Sequence, residues 1–215
     1  MNRLLLAAVT MVLCACSTTN ESLATKQSPW LSPSPQLQAR IDDAATRLPW
    51  THGVERVELI HWFASVGEPA YATLLDLCLD PRPDVSGAAL AALGATRDSR
   101  LVDHLRALPW PDESGGSDIA LERARTLLRL GDWSMVPRLI QGLRDERLVT
   151  RALCAQALEE ATRERFDFDP RAEPDVRAQS IARWEQWWSA RSQDPLQHAN
   201  QAAAQTPAPA SRDDG

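Results

Sequence analysis

The chain has 215 residues, 44% of them hydrophobic and 24% charged, with a formal net charge of −6 at pH 7. That length holds one ordinary domain with tails and enough apolar material for a core, and the acidic balance argues against a nucleic-acid binder, which carries a basic excess. One Tyr and three Phe among many Ala, Leu and Arg favour helix over strand.

In chain order, the first element is the apolar run from Leu4 to Leu13, behind Arg3. It is about half the length of a bilayer span. Charge, short apolar run and small residues have the layout of a secretory signal peptide. The run ends in Leu13-Cys14-Ala15-Cys16. A C-x-C metal site needs further Cys or His ligands, and none lies nearby in the sequence. These four residues resemble the lipobox of bacterial lipoproteins, in which a Leu stands three residues before the Cys with small residues between. Cys14 departs from the Ala, Ser or Thr usual at its position. The resemblance implies cleavage that removes residues 1–15 and acylation of Cys16. Ser17, rather than Asp, follows the acylated Cys, which by the same resemblance implies the outer membrane, facing the periplasm. No later stretch of the sequence approaches transmembrane length. Residues 16–35 then read as the lipidated Cys and a Ser/Thr/Pro-rich tether that includes Trp30.

From 36 to 191 the sequence falls into helix-like segments divided by Pro, Gly and Asp. Asp80 to Leu93, "DPRPDVSGAALAAL", is matched 65 residues on, without a gap, by Asp145 to Leu158, "DERLVTRALCAQAL". A Leu-rich segment precedes each, "ATLLDLCLD" and "PRLIQGLRD". A third copy lies between them, "SRLVDHLRAL" and "DIALERARTLLRLGD", split by the loop "PWPDESGGSD". The second helix of successive pairs is predicted to end at Gly67, Gly94 and Gly131, each taking the left-handed conformation after the last turn. A helix pair cannot bury its apolar face alone, so such pairs stack.

"DPRPDVSGAALAALG" and "DERLVTRALCAQALE", with Asp opening the loop and Ala/Leu packing the second helix, resemble HEAT-like repeats of the phycobilisome-lyase type. The resemblance covers about residues 54–165 and implies an all-α fold, a short right-handed α-solenoid of three to four helix pairs. In such families an Arg follows the loop's Val position; Arg151 and Arg123 match it, and Ser86 departs. Laddering of these Arg to the loop Asp residues is the implied structural role. After the last copy, "RERFDFDPRAEPDVRAQSIARWEQWW" places Trp184, Trp187 and Trp188 at i, i+3 and i+4. This resembles the Trp-rich helix that seals bacterial HEAT-like arrays. An aromatic ligand cage or an interfacial belt is the alternative for the three Trp, with core packing favoured. Trp50 and Trp110 are expected to cover the edges of the array and Trp133 to begin a first helix. Residues 192–215 are of low complexity and read as a disordered tail.

The chain is poor in catalytic chemistry. Cys78 and Cys154 fall about two repeats apart, too far for a disulfide, and are expected as buried thiols. His52, His61, His104 and His198 lie in separate segments. Asp167, Asp169 and Asp175 lack the Gly-bearing calcium loop, and Ser114 and Ser117 lack a nucleophile elbow. We therefore expect no catalytic residue, metal or cofactor. Second helices line the concave side of HEAT-like arrays, and there Arg123, Arg125, Arg129 and Arg151, beside Arg147 and Glu122, form a basic stripe that is a candidate partner surface. Solvated helix faces are the plainer explanation. The sequence thus points to a lipid-anchored scaffold or adaptor for an unidentified envelope protein. An enzyme or small-ligand carrier, and a structural part of an envelope assembly, are the alternatives.

Overall fold

In the computed structural model, which describes residues 29–110 and 118–193, the protein is all-α, with no strand among those residues. The helices are α1 (Pro35–Arg47), α2 (Gly53–Val66), α3 (Tyr71–Leu77), α4 (Pro83–Thr96), α5 (Leu101–Ala107), α6 (Asp118–Arg129), α7 (Val136–Gly142), α8 (Leu148–Thr162) and α9 (Pro174–Ser192). Their starts follow the sequence punctuation. Pro occupies the first turn of α1, α4, α7 and α9, where its missing N–H costs no helical bond. Ser34 caps α1 by accepting from the Leu37 N–H. At the end of α6, Asp132 N–H donates to the Leu127 carbonyl and Gly131 N–H to the Leu128 carbonyl, with Gly131 at φ +102°. That is a Schellman ending, which needs the left-handed region of the map.

Helices α2, α4, α6 and α8 lie side by side, each packed on the next. They run parallel. Arg56, early in α2, pairs with Asp84 at the start of α4; Thr126 donates to the Leu90 carbonyl in mid-helix at 3.0 Å; Arg129, at the end of α6, pairs with Glu160 near the end of α8. Helix α3 packs on α1 and α4, and α7 packs on α6, α8 and α9. Two core clusters result. The first gathers Ile41, Phe63, Leu74, Leu90, Leu93, Leu101 and Leu105. The second gathers Leu139, Leu143, Leu158, Ile181 and Trp184. Helix α6 serves both, giving Leu127 to the first and Ala124 and Leu128 to the second.

Four expectations change. Trp30, placed in the tether, is buried, 5.0 Å from the Tyr71 ring and 4.6 Å from the His104 ring. Trp50, expected to cover an edge, is 78% exposed. Gly94 does not end α4: the helix continues to Thr96, Arg97 takes the left-handed conformation (φ 55°), and Gly94 is buried against Thr126 and Arg129 where α4 meets α6. The Arg–Asp ladder takes a different form. Arg151 donates to the carbonyls of Asp145 and Glu146 and, across the next loop, of Pro170, not to a carboxylate. Residues 1–15, Cys16, Ser114, Ser117, His198 and all of the tail after Gln193 lie outside the described residues.

Candidate interaction face

The parallel row leaves one long face uncovered. Helix α2 exposes Val54, Val57 and His61 on it. From α4 come small residues, half-buried Gly87 and Ala91 and exposed Ala95; from α8 come Val149 and Gln156. Helical periodicity puts these residues opposite the buried positions of the same helices.

The four arginines of the predicted stripe are positioned by α6 and α8, but they do not form a row of available cations. Arg125 is only 7% exposed and pairs with Glu122 one turn earlier. Its Nε is buried with no hydrogen-bond partner among the described residues. Arg151 is 8% exposed and committed to loop carbonyls. Arg129 is half-buried and bound to Glu160 at 3.0 Å. Arg123 stacks over the Trp110 ring at 4.9 Å, a cation–π contact. Arg147 joins Asp145 and Asp118. Only Arg123 and Arg129 of the four keep appreciable surface open, so the α6–α8 part of the face is mixed in sign rather than basic.

A groove of about 430 Å³ lies between the first halves of α6 and α8, lined by Leu121, Arg125, Leu148, Val149, Leu153 and Cys154 among others. Its charged groups, Asp118 with Arg147 and Glu122 with Arg125, are paired with one another. A second groove, about 480 Å³, opens on the other side of Leu148 and Val149 against Asp169, Pro170 and Arg171. Cys154 and Cys78 are buried free thiols, as the spacing predicts. Burial pushes Cys154 up to about 11 and Cys78 up to about 12, so neither is a nucleophile near neutrality. Among the described residues no cluster of three His, Cys, Asp or Glu has metal-site geometry, and no helix is long and apolar enough to cross a membrane.

Sequence reading missed two devices that hold these helices in register. One is a D-x-R motif at the loops: the Oδ1 of Asp80, Asp98 and Asp145 accepts the backbone N–H of Arg82, Arg100 and Arg147, and the same Arg side chain returns to the carboxylate. Its signal was present in "DPR", "DSR" and "DER". These carboxyls are held below the ordinary carboxylate range, chiefly by the hydrogen bond from the Arg side chain. The other is Arg56, which reaches the Asp84 carboxylate and carbonyl and links α2 to α4. No protein-family model, no curated protein and no solved structure matches the chain.

Proposed function

We propose that the protein is a non-enzymatic interaction scaffold: a short right-handed α-solenoid of four HEAT-like helix pairs, anchored by a lipid on Cys16 to the outer membrane and facing the periplasm. The observation that carries this reading is the row of α2, α4, α6 and α8, four successive second helices packed in parallel with one face uncovered. In chain order the units would be α1–α2, α3–α4, α5–α6 and α7–α8, and the packing of α3 on α4 and of α7 on α8 supports this division. Helix α9 is the closing cap, a role supported by Trp184, which is 0% exposed and lies inside the second core cluster. The lipobox at Leu13–Cys16 supports the anchor. In the groove between α6 and α8 the charged groups are paired with one another, which favours a docking surface over a ligand pocket with convergent free polar groups.

On this reading the working surface is the part of the face toward the helix C-termini, exposed Ala95 and Gln156 with half-buried Ala91, Arg129 and Glu160. The test is crosslinking of the full-length anchored chain in cells, followed by mass spectrometry, beside the Cys16→Ser chain and an Ala95→Arg/Gln156→Arg chain. Both substituted positions are exposed, so folding should survive. One dominant envelope protein, recovered at least five-fold less with either variant, supports the scaffold. If no protein is enriched above background, the scaffold reading fails.

A further inference from the structure

Because α2, α4, α6 and α8 are parallel, their first turns and the loops before them lie along one edge of the molecule and their last turns along the opposite edge. The exposed large apolar side chains are distributed unequally between these edges. Trp50 (78% exposed), Val54 (75%), Val57 (50%), Leu148 (40%), Val149 (67%) and Val176 (52%) all lie at or near the first turns. Val176 belongs with them because the loop before α9 sits at the start of α8, where the Pro170 carbonyl accepts from Arg151. Among the described residues the other edge offers Leu31 and otherwise charged loops, such as Glu68 with Arg100 and Asp98. Scattered single apolar residues on a surface mean little, but a concentration along one edge marks a contact.

We propose that this edge lies against the lipid bilayer, with Trp50 and the flanking valines and leucine entering the interfacial layer. The inference rests on the anchoring of Cys16 proposed above. The described chain begins beside the opposite edge, where Trp30 packs on Tyr71 and Leu31 donates to Glu68. A bilayer contact therefore requires the anchor segment to span the height of the molecule. Helix α2, with 14 residues, is about 21 Å long at 1.5 Å per residue. From Cys16 to Pro29 there are 13 peptide steps. A chain of that length reaches no more than about 45 Å, which exceeds the height to be bridged. The anchored lipid and the apolar edge can therefore reach the same surface together.

The chemistry of the edge specifies the kind of surface. Trp suits the interface between headgroups and acyl chains, with an apolar body and a polar tip. The arginines closest to it are held by acids: Arg56 by Asp84, Arg82 by Asp80, Arg147 by Asp118 and Asp145, while Glu146, Glu173 and Asp175 add exposed negative charge. Among the described residues of this edge, no unpaired cationic cluster calls for acidic lipid. Insertion should therefore proceed on zwitterionic vesicles and withstand salt, unlike the electrostatic binding of a polybasic patch.

The test uses the chain from residue 16 onward with Cys16→Ser, so that no acyl chain contributes, and floats it with phosphatidylethanolamine/phosphatidylcholine vesicles. Two further versions carry Trp50→Ser/Val54→Ser/Val57→Ser or Leu148→Ser/Val149→Ser/Val176→Ser, with thermal melting as the control for folding. The expected result is weak, salt-resistant flotation that falls at least five-fold in either triple variant while melting is retained. Brominated lipid should quench the unsubstituted chain and quench it less when Trp50 is replaced. Absence of flotation at millimolar lipid overturns the proposal, as does flotation unchanged by both variants or abolished by 0.5 M salt. Concentration-dependent self-association lost with the same substitutions also overturns it, assigning the edge to a second copy of the chain. Mass analysis of the N-terminal peptide from the membrane-extracted full-length protein tests the anchor separately. An unacylated Cys16 defeats the anchoring reading whatever the vesicles show.

Discussion

Arg151 is the most constrained charge in the described chain. Its guanidinium donates to the carbonyls of Asp145 and Glu146, both at 2.8 Å, and to Pro170 at 2.7 and 2.9 Å. Removing it leaves three buried-side carbonyls without a donor, so Arg151→Ala should cost about 2–4 kcal/mol in urea unfolding. Arg123→Ala, which loses the stacking contact on Trp110 and no buried network of carbonyls, should cost less than Arg151→Ala. That contrast separates a structural arginine from a surface one, although the sequence presents them alike. The thiols make a second residue-scale prediction. With Cys78 near 12 and Cys154 near 11 through burial, the native protein should react with a thiol reagent at pH 8 only after unfolding, and two fast-reacting groups in the native Cys16→Ser chain would contradict this. The D-x-R carboxyls make a third. Asp80, Asp98 and Asp145 titrate lower in the folded chain than in the unfolded one. The stability they confer is therefore present above about pH 4, the unfolded carboxylate value, and lost as pH falls through their folded values. Asp98→Asn should lower the urea midpoint at pH 7, and its curve should converge with that of the unsubstituted chain in acid.

The helices themselves were largely readable, because apolar spacing and Pro, Asp and Gly punctuation are local signals. The pairs found by the 65-residue shift correspond to α3–α4 and α7–α8, and the split third copy to α5–α6. The rest depended on contacts between distant elements. Gly94 looks like a helix ending and is instead a close-packing site against Thr126 and Arg129, a role visible only once α6 is placed. Trp30 looks like tether until Tyr71 and His104 surround it. Arg123, Arg125 and Arg129 lie on α6 and Arg151 on α8, but what each meets depends on the fold: Glu122 one turn earlier for Arg125, Glu160 of the neighbouring α8 for Arg129, the Trp110 ring for Arg123 and loop carbonyls for Arg151. Gly142 gives the sharpest element-scale prediction. A Cβ built there would stand 2.5 Å from the Cys154 Sγ and 3.4 Å from Leu121, so α7 approaches α8 only because position 142 has no side chain. Gly142→Ala should destabilise by about 1–3 kcal/mol through overpacking. Adding Cys154→Ala should recover part of that loss, since it removes the sulfur the new methyl meets; additive losses in the double variant would show that the contact is not the cause.

At the scale of the molecule, the two core clusters meet at α6 and are otherwise built from different parts of the chain. On the proposed stacking, in which each helix pair touches only its neighbours, stability should be lost in pieces rather than all at once. Trp184 tests this. Its ring packs edge-on against Phe166 at 4.8 Å and Trp187 at 5.7 Å, while Arg191 holds Trp187 and Trp133 together. Phe166 reaches that position in a left-handed conformation, φ 50°, that only surrounding packing sustains. Trp184→Ala should therefore cost about 3–5 kcal/mol. The Trp184 indole N–H has no partner among the described residues, so Trp184→Phe removes an unsatisfied donor along with some volume and should cost much less. If α9 closes only its own end of the array, hydrogen exchange in the Ala variant should lose protection in α7, α8 and α9 while the middles of α2 and α4 stay slow. Uniform loss of protection would make the whole chain one cooperative unit. The segmental division at α6 would then be wrong.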